Sequence, residues 1–117
     1  MKKVLIADDA TFMRMSIRQM LEGNGFEVVG EAKDGIEAIS LYKQLTPDIV
    51  TMDITMPNLT GIEALKGIRK FDPNATVVMI TAMGQESMVR DAVISGAKSF
   101  IVKPFKEEHL IKVLSRL

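Results

Sequence analysis

Residues Asp48–Pro57 read DIVTMDITMP. After Asp48 a β-branched apolar run carries one carboxylate, Asp53, at its far end, and Met56-Pro57 closes it off. A short apolar run of this kind reads as a strand buried on both faces, which is a feature of parallel sheets. An acid at the end of such a strand is costly unless it has a partner. The rest of the chain therefore has to supply both the sheet and the partners.

Outward from this run, strand-like and helical patterns alternate. Lys3–Ala7 (KVLIA) reads as the first strand. Thr11–Glu22 follows as a helix, with Met13, Ile17, Met20 and Leu21 on one face. The GNG at Gly23–Gly25 ends it. Phe26–Ala32 reads as the second strand. Asp34, with Glu37 three residues on, marks a capping box. The helix it opens carries Ala38, Leu41, Tyr42 and Leu45 and stops at Pro47. Thr60 and Glu63 repeat the pattern for a helix with Ile62, Leu65 and Ile68. Thr76–Ala82 is a fourth strand. Gln85–Ser95 is a helix expected to turn Met88, Ala92 and Val93 inward and to stop at Gly96. Ser99–Lys103 is a fifth strand, and Glu107–Leu117 a helix whose two leading acids suit the positive end of its dipole.

Five βα units in sequence, without repeat or linker, predict one α/β domain over residues 1–117. Five are too few for an eight-unit barrel. The expected architecture is a doubly wound (βα)5 sheet of five parallel strands, flavodoxin-like, in the order 2-1-3-4-5.

Composition narrows the function classes. The chain has 117 residues, 47% hydrophobic and 26% charged, with formal net charge zero. Lys and Arg are scattered, so neither nucleic acid nor an anionic membrane is the expected partner. No apolar run has the length of a membrane span, and the N-terminus lacks a secretory h-region. Cysteine is absent, which removes disulfides and thiolate metal sites. A cytoplasmic protein is expected. The nine methionines read as flexible core filler.

Sheets of this type bind ligands at the carboxyl ends of their strands. Asp8 and Asp9 follow the first strand, Asp53 ends the third, Thr81 the fourth and Lys103 the fifth. Taken singly, Asp9 reads as a helix cap, Lys103 as a solvated lysine, and Thr81 says little. His109, the one histidine, reads as surface. Jointly the five groups at one sheet edge say more. Three acids in contact repel unless a cation intervenes. Mg²⁺, or Mn²⁺ in its place, suits one or two carboxylates, waters and a phosphate. Lys103 adds a point charge and Thr81 a hydroxyl. That set matches phosphoryl transfer, with Asp53 as the carboxylate nucleophile.

The stretches LIADD, DIVTMDITMPNLTGIEAL, VVMITAMG and GAKSFIVKPF resemble the receiver domain of two-component response regulators. MDITMP and TAMGQESMV most resemble the stand-alone chemotaxis type of that family. The resemblance covers essentially the whole chain. It implies that Asp53 is the phosphoacceptor and that Asp8, Asp9, Asp53 and the Thr55 backbone carbonyl hold the metal. It implies that Thr81 and Lys103 contact the phosphoryl group and that Lys103-Pro104 is a cis peptide. It also implies a switch, with Thr81 moving toward the phosphoryl group, Phe100 turning inward, and helix four, strand five and helix five as the output face. The plain reading of Phe100 is a strand residue covered by a helix. The implied partners are a chemotaxis-type sensor histidine kinase, the flagellar motor switch and a phosphatase, with the chain itself monomeric. It would be no metabolic enzyme, having only self-phosphotransfer and slow self-dephosphorylation. A receiver of a transcription factor or a phosphorelay intermediate is the alternative within the class.

Two other classes fit less well. A dehalogenase-type hydrolase also uses an aspartate after a strand, but needs a second acid two residues on, where this chain has Thr55. A flavodoxin-like FMN carrier needs a Ser/Thr/Gly phosphate loop after strand one, where this chain has DDATF.

Overall fold

A computed structural model describes all residues, Met1–Leu117. The elements are β1 (Lys3–Ala7), α1 (Thr11–Glu22), β2 (Glu27–Ala32), α2 (Gly35–Leu45), β3 (Ile49–Asp53), α3 (Gly61–Phe71), β4 (Val77–Ala82), α4 (Glu86–Ile94), β5 (Ser99–Lys103) and α5 (Glu107–Ser115). All strands are parallel, in the order β2-β1-β3-β4-β5. This is the flavodoxin-like arrangement expected from the alternation. No helix is long and apolar enough to cross a membrane.

The two-residue period of the strands divides the core between the faces of the sheet. Leu5, Val50, Met52, Val77 and Met79 face Ala38, Tyr42, Leu65, Ile68 and Ala92 of α2, α3 and α4. Val4, Ile6, Ile49, Val78, Ile80 and Ile101 face Ile17, Leu21, Leu110 and Leu114 of α1 and α5. The central strands are therefore apolar on both sides, as the sequence required. Each large side chain buried this way contributes about 1.5–3 kcal/mol.

Helices α2 and α3 start where their caps predict. Thr60 and Glu63 form a complete capping box, at 3.2 and 3.0 Å. At α2 only half of the box forms. Asp34 accepts from the Glu37 N–H at 2.8 Å, while the Glu37 side chain accepts from Lys33 instead. α2 ends on Thr46 in the left-handed region, with φ 42°. No side chain caps α1; its N-cap is Ala10, so Asp9 does not serve there.

The far edge of the sheet corrects the expected inward turn of Met88 and Val93, and the plain alternative reading of Phe100 as a helix-covered residue. Of the α4 residues expected inward, only Ala92 is buried; Met88 and Val93 are exposed. Phe100 is not covered by a helix either, and stays 44% exposed. β5 is an edge strand that α4 covers incompletely, so its apolar residues keep a solvent face. The methionines also divide. Met52, Met56 and Met79 are core, Met13 and Met20 pack at its margin, and Met1, Met15, Met83 and Met88 are exposed.

Candidate phosphoryl-transfer site

Register decides which side chains meet beyond the sheet edge. Ala7 pairs with Met52, so the chain after β1 leaves the sheet beside the end of β3. Asp53 pairs with Ile80, and Thr81 and Ala82 pair with Val102 and Lys103. All five groups expected from the sequence thus stand at one edge. Carboxylate oxygens of Asp8, Asp9 and Asp53 lie within 4.8 Å of one another. Lys103 Nζ lies 3.1 Å from Asp8 Oδ2 and 3.6 Å from Asp53 Oδ1.

The three acids are not equivalent. Asp8 is buried, and its other oxygen accepts from the Ala10 N–H at 2.8 Å. Asp9 is exposed. Asp53 is buried and has no hydrogen-bond donor but the nearby lysine. Burial pushes the Asp53 carboxyl up to about 6; Lys103 pulls it down, and Asp8 and Asp9 push it further up. A pocket with three carboxylates and one ammonium is short of positive charge. Hard oxygen donors this close fit a divalent ion such as Mg²⁺.

Thr81 is buried at the end of β4, within reach of the same edge. Its hydroxyl takes part in none of the hydrogen bonds of the site. Thr55, two residues past Asp53, is exposed, and its hydroxyl accepts from Gln85 Nε2 at 2.9 Å. Met83 is 79% exposed on the loop after β4. The Lys103-Pro104 peptide is cis. Phe100 and Val102 border a cavity of about 240 Å³ with Thr81, Met83 and Val89, so open space connects the Phe100 ring to Thr81. His109 lies away from the acids, on a groove lined by Phe100, Phe105 and Lys112.

Three residues that support the site were not singled out from the sequence. Arg14 Nη1 donates to the Asp8 carbonyl at 2.6 Å, and Arg14 Nε is held by Glu31 at 3.2 Å. That anchors the turn carrying Asp8 and Asp9. The only sequence signal was a basic residue on the first turn of α1. Gly61 lies against the back of Asp53: a β-carbon there would meet the Asp53 carbonyl oxygen at 2.0 Å. Its signal was a glycine directly after a capping threonine. Gln85 bridges two loops of the site; nothing in its sequence context marked it.

The chain matches the response regulator receiver domain family over residues 4–115. Chemotaxis protein CheY of Thermotoga maritima is 53% identical over 116 residues, covering 99% of this chain and 97% of that protein. CheY of Bacillus subtilis is 53% identical over 114 residues, covering 97% and 95%. A crystal structure of the CheX-CheY-BeF3-Mg²⁺ complex of Borrelia burgdorferi contains a chain 44% identical to this one. It superposes with a TM-score of 0.93 over 98% of this chain and 88% of that one. The strand order, the acidic cluster and the extent of these matches lead to one conclusion: this chain belongs to the response regulator receiver domain family of two-component signalling proteins, and within it is CheY-like.

Proposed function

We propose that Asp53 accepts a phosphoryl group from a phosphohistidine of a chemotaxis-type sensor kinase. An Asp53 carboxylate oxygen attacks phosphorus as the P–N bond breaks, and the imidazole leaves with the bonding pair. Lys103 neutralises a phosphoryl oxygen, and Thr81 donates its hydroxyl to another. Asp8, Asp9, Asp53 and the Thr55 carbonyl are the residues that would hold Mg²⁺ or Mn²⁺, which when bound offsets phosphoryl charge. The observation that carries this reading is the meeting of three carboxylates within 4.8 Å, with Lys103 on two of them.

The output follows from the same edge. Movement of Thr81 toward the phosphoryl group would enlarge the cavity that it already shares with the Phe100 ring. The exposed apolar side chains Val93, Ile94, Phe100 and Val102 lie on α4 and β5, the face that such a movement would alter. Shifting the population from mostly resting to mostly active needs roughly 3–5 kcal/mol of differential stabilisation. One or two charge-assisted hydrogen bonds supply most of that. The target is the flagellar motor switch, the setting is cytoplasmic, and a phosphatase resets the signal. That a separate protein engages such a domain has a parallel in the Borrelia complex of CheX with CheY, BeF3 and Mg²⁺.

Labelling with acetyl phosphate and Mg²⁺ tests the acceptor. Wild type is expected to label and Asp53→Asn is not; normal labelling of the variant overturns the assignment. Pull-down of the beryllofluoride-treated protein against motor-switch and kinase fragments tests the output. Capture of the kinase fragment alone would favour a relay intermediate.

A further inference from the structure

The Gln85 side chain ties together the two loops that flank the phosphoryl site. Its Oε1 accepts from the Ala82 N–H at 2.6 Å, and its Nε2 donates to Thr55 Oγ1 at 2.9 Å. Ala82 is the residue directly after Thr81, and Thr55 stands two residues after Asp53. Gln85 itself is the N-cap residue of α4, yet its side chain makes no cap to that helix. Both ends of one amide are thus committed across the mouth of the site, and none of its hydrogen-bonding capacity serves the helix it precedes.

We propose that Gln85 is a latch that holds the β4–α4 loop in its resting position. The inference rests on the phosphoacceptor reading of Asp53. On this proposal, engagement of a phosphoryl group on Asp53 by the Thr81 hydroxyl draws the Thr81-Ala82 backbone out of the position that Gln85 sets. The latch fixes that backbone from the Ala82 side and anchors it on Thr55. It is made when the acid pocket holds no phosphoryl group, and moving the loop strains or breaks it. Its strength therefore enters the switching equilibrium directly, and Gln85 is a positioning residue that never touches the phosphoryl group.

Beryllofluoride binding at fixed Mg²⁺, followed by ¹⁹F NMR, reads this equilibrium. Gln85→Ala and Thr55→Val are each expected to bind it about three- to tenfold more tightly than wild type, the range one hydrogen bond accounts for. The double variant is expected to gain no more than Gln85→Ala alone, because Gln85→Ala already removes the bond that Thr55→Val removes. Thr55→Ser keeps the hydroxyl that Gln85 Nε2 meets and is expected to bind beryllofluoride less tightly than Thr55→Val, a split that a general loosening of the loop would not give. Mg²⁺ affinity of Gln85→Ala is expected to be unchanged. Unchanged or weaker beryllofluoride binding in the single variants overturns the latch, as do effects that multiply in the double variant. Should Gln85→Ala fail to fold, the contrast between Thr55→Val and Thr55→Ser decides alone. A wild type that binds no beryllofluoride overturns the phosphoacceptor reading instead, so the two failures are told apart.

Discussion

Lys103 stands closer to Asp8 than to Asp53, at 3.1 against 3.6 Å. In the resting protein the lysine is thus shared between two carboxylates and leans on the more deeply buried one. It occupies part of the charge deficit that a divalent ion would fill.

Removing that lysine has opposite effects on metal and phosphoryl group. Lys103→Ala takes away the positive charge that repels a divalent ion, so Mg²⁺ is expected to bind about three- to tenfold more tightly. Phosphorylation by acetyl phosphate is expected to fall by at least about tenfold, since a charge-assisted contact to the phosphoryl oxygen is lost. Calorimetric titration with Mg²⁺ and a labelling time course on the same variant measure the two directions.

Asp53 is expected to cost stability at neutral pH. Its carboxyl is raised from 3.8 to about 6 in the folded protein. The folded state therefore holds this proton more tightly than the unfolded state does. The cost is absent below the unfolded value, grows as pH rises from 3.8 toward 6, and stays constant above. Asp53→Asn is thus expected to stabilise the metal-free protein by about 1–3 kcal/mol at neutral pH. The gain is expected to vanish near pH 4, and Mg²⁺ should narrow it by stabilising the wild type more than the variant. Urea melts of both proteins across pH, with and without Mg²⁺, give the comparison.

Gly61 is expected to accept no side chain. A β-carbon would lie 2.0 Å from the Asp53 carbonyl oxygen and 2.8 Å from Ile54 Cα, both backbone atoms that cannot swing aside. Gly61→Ala is expected to destabilise the protein by at least about 2 kcal/mol. Because the collision is with Asp53 itself, labelling of the folded fraction is expected to fall as well. Melts and labelling at a temperature where the variant is still folded separate the two losses.

Met83 is expected to prolong the phosphorylated state. It is 79% exposed beside the site, and its thioether cannot orient an attacking water. Met83→Glu supplies an acceptor at that place and is expected to shorten the half-life of phosphorylated Asp53 by about threefold or more. Decay of the phosphorylated form after removal of acetyl phosphate measures it; a half-life as long as that of wild type would contradict the expectation.

The sequence by itself determined the sheet. The continuous apolar runs of β1, β3 and β4 and the capping signals at Asp34 and Thr60 act over a few residues, so they can be read locally. So can the placement of Asp8, Asp9, Asp53, Thr81 and Lys103, because each ends an apolar run and parallel strands carry all such ends to one edge. The tertiary structure decided what depends on distance between segments far apart in the chain. That includes the preference of Lys103 for Asp8, the closeness of Gly61 to the Asp53 carbonyl, and the hold of Arg14 on the Asp8 turn. It includes the exposure of Phe100 and Val93 as well. Their apolar character suggested burial, but an edge strand has only one neighbour and α4 covers too little of it. Gln85 shows the same limit most plainly. A glutamine before a helix carries no signal of its own, and only the folded chain brings Thr55 within its reach.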